Sequence, residues 1–415
     1  MGTMAMAWRN ARRNRGRTAL SASAAFASTL IVCFIMSMES GYIDDMIANI
    51  KNHQTGDIRI MNAVYVENER AMPVGHCVAG TGRAIREIEA ITAVERAIPK
   101  TAFIAAIYRK GERIPCRAIG VDFARDPIAR SRNDVLVKGS YPESASSGIL
   151  VTAGLARELS LEPGSKITAL ARTATGGANG KTFTVTGVVE MSDMDFGGRT
   201  FFLDWKTAGE FLRIGDNALA VHVFLRKDTD VPVTLAAIGA AAERAAEGRE
   251  QRLDVRTWDK VSETFAFLKI SRVLFAVYGA IFYLLASTVI FNTTTMSVLE
   301  RRREIGTLAA LGMGAPRVMA LFLAESGIIA ALGTLAGLAV GGTIVAVVGA
   351  VGFDIEAIYG SELGGMGISR VIYPSISPGQ VVFIFVLALA ISLAACAFPA
   401  RMATRIEPAS AIADR

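Results

Sequence analysis

The sequence is poor in the residues from which most catalytic centres are built. Only three His occur in 415 residues, and aromatic residues make up 7%. His53, His76 and His222 are scattered, which leaves too little imidazole for a His-rich metal centre and makes each an ordinary structural residue. The four Cys show no Cys-x-x-Cys or zinc-like spacing, so no thiolate metal site is expected. Cys33 and Cys396 lie in apolar runs, where a thiol behaves as a small hydrophobe. Cys77 and Cys116 lie in polar sequence, where a disulfide and two unpaired thiols are both open readings. No Ser/His/Asp, Cys/His or paired-carboxylate arrangement stands out. Asp193 and Asp195 in "SDMDF" could take a cation, but two carboxylates there read first as a solvated turn.

A nucleotide-binding motif is missing too. "TGGANGKT" at 175–182 resembles a phosphate-binding loop, but Thr175 stands where the first Gly is required. Such a loop also has to lead into a helix whose N-terminus holds the phosphate, and "FTVTGVV" follows it with a strand pattern. A hairpin turn is expected instead.

What the chain has in quantity is apolar sequence. Hydrophobic residues make up 52% and charged residues only 20%, with a formal net charge of +6 and a mean hydropathy of +0.38. That combination fits a membrane protein carrying a sizeable polar domain. Four runs, at 19–40, 269–296, 318–351 and 380–400, each supply the ~20 apolar residues needed to cross ~30 Å of hydrocarbon as a helix. The first run follows "RNARRNRGR", and its "LIVC" resembles a lipoprotein cleavage box. Val32 is not the small residue such a box needs, and the run stays apolar to Met38, so an uncleaved anchor is expected.

Arginine placement orients these spans. Arg9, Arg12, Arg13, Arg15 and Arg17 precede the first, Arg301, Arg302, Arg303 and Arg317 lie between the second and third, and Arg401, Arg405 and Arg415 follow the fourth. By the positive-inside rule, the basic N-terminal helix (1–18), the segment 297–317 and the tail (401–415) are cytoplasmic. Residues 41–268 and 352–379 are then extracytoplasmic. Nucleic-acid binding is not expected, because the N-terminal arginines end where the apolar run begins.

The block 41–268 is large enough for its own core. "YIDDMIANIKNH" continues helically out of the first span. "GDIRIMNAVYV", "AFIAAIYRKGERIPCRAIGVD" and "SKITALART…KTFTVTGVVEM" alternate as strands do, while "RAIREIEAI", "ILVTAGLARELSL" and "VPVTLAAIGAAAERAAEG" contain helices. The expected fold is a membrane α-helical protein of four transmembrane helices, with a large extracytoplasmic α+β domain inserted between helices 1 and 2.

In the third span Gly333, Gly337 and Gly341 repeat every four residues, a face that lets another helix approach closely. Packing against the second or fourth span and a dimer interface are both open. Glu325 in the same run is expected near the cytoplasmic surface or facing protein. Phe26, Phe34, Met36 and Met38 of the first span could line a site for a greasy substrate or face lipid.

The segment "ERRREIGTLAALGMGAPRV" from Glu300 carries five consecutive charges. At about 2.5–3.5 kcal/mol per basic residue at a helix centre, burying it in hydrocarbon would cost on the order of 10 kcal/mol. It is expected to be a short surface helix with an apolar stripe of Ile305, Leu308 and Leu311 or Gly312. Gly312 and Gly314 end it, and Pro316 suits the first turn of the next helix.

Extended to "ERRREIGTLAALGMGAPRVMALFLAESGIIAALGTLAGLAVG", the segment resembles the FtsX-like, MacB-type permeases of ATP-binding-cassette (ABC) transporters. "FPARMATRIEPASAI" is similar to that family's closing pattern through Pro399, Ala400, Ala403, Pro408 and Ala409. "GILVTAGLARELSLEPGSKITAL", "FTVTGVVEMSDMDFGGRTFFLD" and "VRTWDKVSETFAFL" look like the LolC/LolE lipoprotein-releasing permeases. The resemblance implies that Glu300, Arg302, Arg303, Glu304, Ile305, Leu308, Leu311 and Gly312 form a coupling helix docked on a cytoplasmic ABC ATPase dimer. It implies no catalytic residue, metal or cofactor in this chain, with ATP–Mg bound by the partner ATPase. A second permease chain, identical or not, a lipoprotein substrate and a periplasmic lipoprotein carrier are the further partners it implies. The alternatives are a scaffold regulating an extracytoplasmic cell-wall hydrolase, and an exporter of peptides or small hydrophobic molecules.

Overall fold

The computed structural model describes residues 6, 9, 13, 15–109, 111–126, 136–190, 198–249, 251–261, 264–311, 313–355 and 371–404. The chain divides into two compact units, one of Met1–Asp44, Phe267–Asp354 and Val371–Arg415, the other of Asp45–Ala266 and Ile355–Arg370.

The second unit is built on a mixed ten-stranded sheet. Helix α1 (Arg15–Asn49) leads through a π-helical turn, Ile50–Thr55, into β1 (Ile58–Asn62). The remaining strands are β2 (Val94–Arg109), β3 (Glu112–Val121), β4 (Leu136–Gly139), β5 (Gly148–Thr152), β6 (Lys166–Arg172), β7 (Ala178–Val189), β8 (Thr200–Asp204), β9 (Ala220–Leu225) and β10 (Leu253–Thr257). Their order is β10-β1-β9-β2-β3-β8-β5-β7-β4, with β6 paired to β2 and β7. Entry strand β1 and exit strand β10 are antiparallel neighbours, with Ile58 opposite Thr257.

Two helix pairs cover this sheet, and a short helix, α6 (Trp258–Val261), follows β10. Helices α2 (Thr81–Glu89) and α5 (Val231–Ala246) set Ala84, Ile88, Ile238 and Ala241 against Ile58, Ile60, Val221 and Val223. Helices α3 (Ala153–Leu159) and α4 (Trp205–Leu212) close a second core around Phe103, Phe183, Phe201 and Phe211. Asp204 and Asp230 start α4 and α5 by accepting backbone N–H groups left over at the helix N-termini. Within the core one ion pair is almost dry: Lys100 Nζ lies 2.7 Å from Asp126 Oδ2, with side chains 5% and 0% exposed.

Strand β1 is shorter than the alternation of "GDIRIMNAVYV" suggests. Asn62 caps a helical turn, Ala63–Glu67, by accepting the Val64 N–H, so the chain leaves the sheet there. The loop-like "TGGANGKT" proves to be the turn and first residues of the β6–β7 hairpin, with Arg172 opposite Ala178 and Lys181 in the ladder opposite Ala169.

The first unit holds the long helices. Besides α1 these are α7 (Thr264–Glu300), α9 (Ala315–Val351) and α10 (Pro378–Ala403), with the short α8 (Arg302–Ala310) between α7 and α9. All four long helices have the length and hydropathy to cross a membrane. Pro316 falls in the first turn of α9 behind the Gly314 N-cap, and Ser377 with Gln380 forms a capping box at the start of α10.

Hydroxyl bonds stitch these helices together. Ser21 and Thr293 are 2.6 Å apart, the Tyr283 hydroxyl donates to Thr29 at 3.1 Å, and Cys396 Sγ lies 3.0 Å from Ser326 Oγ. The partners rise along α1 as they fall along α7, so these two helices are antiparallel.

The glycine face of α9 packs on α1, not on the second or fourth span. A Cβ on Gly333 would lie 2.5 Å from the Ala22 carbonyl, one on Gly337 would lie 2.7 Å from Thr29 Cβ, and one on Gly341 would lie 3.1 Å from Cys33 Sγ. The reason is reciprocal smallness: α1 offers Ala22, Ala25, Thr29 and Cys33 at one-turn spacing.

Candidate functional site

The site is the joint between α7 and α9. Helix α7 ends at Glu300 and α8 begins at Arg302, yet the helical bonding carries through. The Arg301 N–H reaches the Ser297 carbonyl at 3.2 Å, and the Ile305 N–H reaches the Arg301 carbonyl at 2.9 Å. α8 is therefore nearly a continuation of α7.

Its residues separate into two roles. Ile305 is 5% exposed and packs inward among Val298, Val318, Phe322, Ala400 and Ala403, fastening α8 to α7, α9 and α10. Leu311 is 80% exposed. Glu300, Arg302, Arg303 and Glu304 are all exposed. The expected stripe thus divides, with Ile305 an internal anchor and Leu311 presented outward. The Leu308 side chain and Gly312 lie outside the described residues.

Around α8 lies a charge network that sequence reasoning missed. Arg13 Nη2 donates to Glu304 Oε1 at 2.5 Å, and Arg17 Nη2 pairs with Glu300. Arg301 Nε donates to Glu304 Oε2 at 2.9 Å, while its Nη1 reaches Glu325 Oε2 at 3.3 Å. The hydrogen bond from Arg13, foremost, holds the Glu304 carboxyl below the ordinary carboxylate range. Glu325, expected near the surface or facing protein, is thus spent on Arg301. Beside the network lies a cavity of ≈ 30 Å³, lined by Arg17, Glu325 and hydroxyls such as Ser21, Thr294, Ser297 and Ser326. It is roomy enough for water, and the buried Arg17 Nη1 has no hydrogen-bond partner among the described residues.

The remaining candidates lie elsewhere. Met36 is buried in the helix core with Val32, Cys33 and Tyr283. Phe34 meets Phe353 edge-on at 6.3 Å, and Phe26 and Met38 are half-buried. Of the four, Met36 is the one placed in that buried cluster. Cys77 and Cys116 are free thiols in separate clusters, and burial pushes the Cys116 thiol up to about 12. His222 is buried in β9. Asp193 and Asp195 lie outside the described residues, among which no group of three or more His, Cys, Asp or Glu could hold a metal ion.

Comparison with known proteins matches two family models. Residues 18–241 match the MacB-like periplasmic core domain, and residues 276–408 match the FtsX-like permease C-terminal domain. The chain is 24% identical over 295 residues to the lipoprotein-releasing system transmembrane protein LolC of Neisseria meningitidis serogroup B, covering 69% of this chain and 68% of LolC. It is 28% identical over 142 residues to the macrolide export ATP-binding/permease protein MacB of Hyphomonas neptunium, covering 34% of this chain but only 19% of that protein. Among solved structures, the periplasmic region of MacB from Actinobacillus actinomycetemcomitans matches with a TM-score of 0.38 and 13% identity, over 53% of this chain and 97% of that one.

Proposed function

The chain belongs to the FtsX-like, MacB-type permeases of ABC transporters, and from that premise we propose that it releases lipidated proteins from the cytoplasmic membrane. ATP is hydrolysed by a partner ATPase dimer, and α8 with the basic N-terminus and the tail faces the cytoplasm to receive that dimer. A second permease chain completes the transporter, and the released lipoprotein passes to a soluble carrier outside. The observation that carries the reading is α8 itself, anchored inward through Ile305 and presenting Leu311 and four exposed charges outward. Such an element passes a push at its outer face directly to α7 and α9.

The choice of a lipidated cargo leans on the likeness to LolC, which extends over most of both chains. It also fits the energetics. An acyl chain is held by ~0.8 kcal/mol per buried CH₂, so extracting two or three chains needs an outside energy source. The MacB-like core favours a second reading, export of small hydrophobic molecules.

Reconstitution with the partner ATPase in proteoliposomes separates them. ATP-dependent transfer of a lipidated protein to a soluble carrier is expected. Retention of the ATPase together with no such transfer would sink the lipoprotein reading and leave the exporter.

A further inference from the structure

Arg13 and Arg17 stand one helical turn apart, and so do their partners Glu304 and Glu300. Because the pairs run 13 to 304 and 17 to 300, their register is antiparallel. Ser21 with Thr293 and Thr29 with Tyr283 continue the same register along α1 and α7. The ion pairs therefore prolong an existing interhelical seam past the apolar region onto α8. Topogenesis alone asks only for positive charge near a span. It asks for neither this spacing nor two carboxylates among the arginines, which lower the local positive charge.

We propose that Arg13 and Arg17 are positioning residues that latch α8, through Glu304, and the adjoining end of α7, through Glu300, to the base of α1. α8 is joined by the chain only to α7 and α9; through the latch its displacement also reaches α1, the helix that leads into β1. The link continues inward, since Glu304 shares Arg301 with Glu325 of α9. Exposed ion pairs contribute little each. Arg13 and Glu304 are 67% and 45% exposed, which suits a contact that can open and close and argues against a permanent brace.

The inference rests on the proposed coupling role of α8, and its test keeps the two apart. In full-length protein in membranes, Arg13→Cys with Glu304→Cys should be cross-linked by a short bifunctional thiol reagent that spans the reach of the original Arg–Glu pair. Adding Arg17→Gln, or raising the salt, should cut the cross-linking yield severalfold. Coupled transport is read separately. Arg13→Glu with Arg17→Glu should lower transport at least tenfold while ATPase co-purification persists, with Arg9, Arg12 and Arg15 still keeping the N-terminus basic. Adding Glu300→Arg and Glu304→Arg should restore transport to within about threefold, with ATPase co-purification read in the same sample. Cross-linking that ignores Arg17 and salt, or a full exchange that rescues nothing, overturns the latch. Wild-type protein that retains no ATPase overturns the coupling role instead, and the cross-link still reports on the latch.

Discussion

The division of labour along α8 can be tested by two alanine substitutions six residues apart. Ile305 is 5% exposed within a cluster drawn from α7, α9 and α10. Ile305→Ala leaves a cavity there, and buried Ile or Leu to Ala changes cost about 2–5 kcal/mol. Leu311 is 80% exposed, so truncating it should alter stability by no more than about 0.5 kcal/mol. If the ATPase covers Leu311, docking recovers much of the ~1.5–3 kcal/mol that full burial of such a side chain is worth. Leu311→Ala should then weaken ATPase affinity by about 10- to 150-fold, at a decade per 1.4 kcal/mol. The assays are unfolding of the full chain in mixed micelles and titration of the partner ATPase onto nanodisc-embedded permease. Ile305→Ala should fail the first, and Leu311→Ala only the second. An ATPase affinity for Leu311→Ala within twofold of wild type would refute the docking argument. Normal stability of Ile305→Ala would refute the anchoring one.

The α1–α9 contact gives a sharp steric contrast. Gly337→Val should destabilise the membrane unit by about 1–3 kcal/mol, because its Cβ would sit 2.8 Å from the immovable Phe26 carbonyl; Gly342→Val, with nothing within 4 Å, should unfold like wild type in the same assay. In the other unit, Lys100→Met takes the ammonium partner from the fully buried Asp126 and should cost about 3–5 kcal/mol, or about 6–20 °C in Tm for a domain of this size; adding Asp126→Leu should recover most of that in the same melt. His222 carries a pH signature. Desolvation first, then Lys100 and Arg59, holds its folded value well below that of a free imidazole, so the unfolded chain takes up the proton first. Its stability contribution is complete above pH ~6.5 and should decline by up to ~1.4 kcal/mol per unit as pH falls below that. His222→Leu should make that limb of the stability–pH curve shallower, leaving the share of His53, whose folded value burial lowers to about 4.

The parts of this molecule that were legible in sequence are those decided within one element. A run of ~20 apolar residues has one economical conformation in a bilayer, which is why all four long helices were readable. β-Branched residues with partial alternation, split by Gly-bearing turns, likewise exposed the β2–β3 and β6–β7 hairpins. Position along β1 was harder, because a single side chain, Asn62, chooses between continuing the ladder and capping a turn. The stripe of α8 shows another limit. Ile305 and Leu311 are equally apolar, and only the neighbours on α7, α9 and α10 decide which of them is covered.

What one element cannot disclose is its partner, yet two stripes of matched spacing can. Gly333, Gly337 and Gly341 announce a close approach without saying to what. Set beside Ala22, Ala25, Thr29 and Cys33, they specify α1, and the shared direction of the two series specifies a parallel pair. Arg13 and Arg17 against Glu300 and Glu304 are the charged version of the same rule, with the opposite direction. Parallel α1–α9 and antiparallel α1–α7 are together what consecutive crossings of one bilayer require, so each series checks the other. α1 thereby touches both helices that α8 joins. Under the proposed coupling role of α8, α1 is then the helix on which its displacement converges, by small-residue packing from one side and by ion pairs from the other.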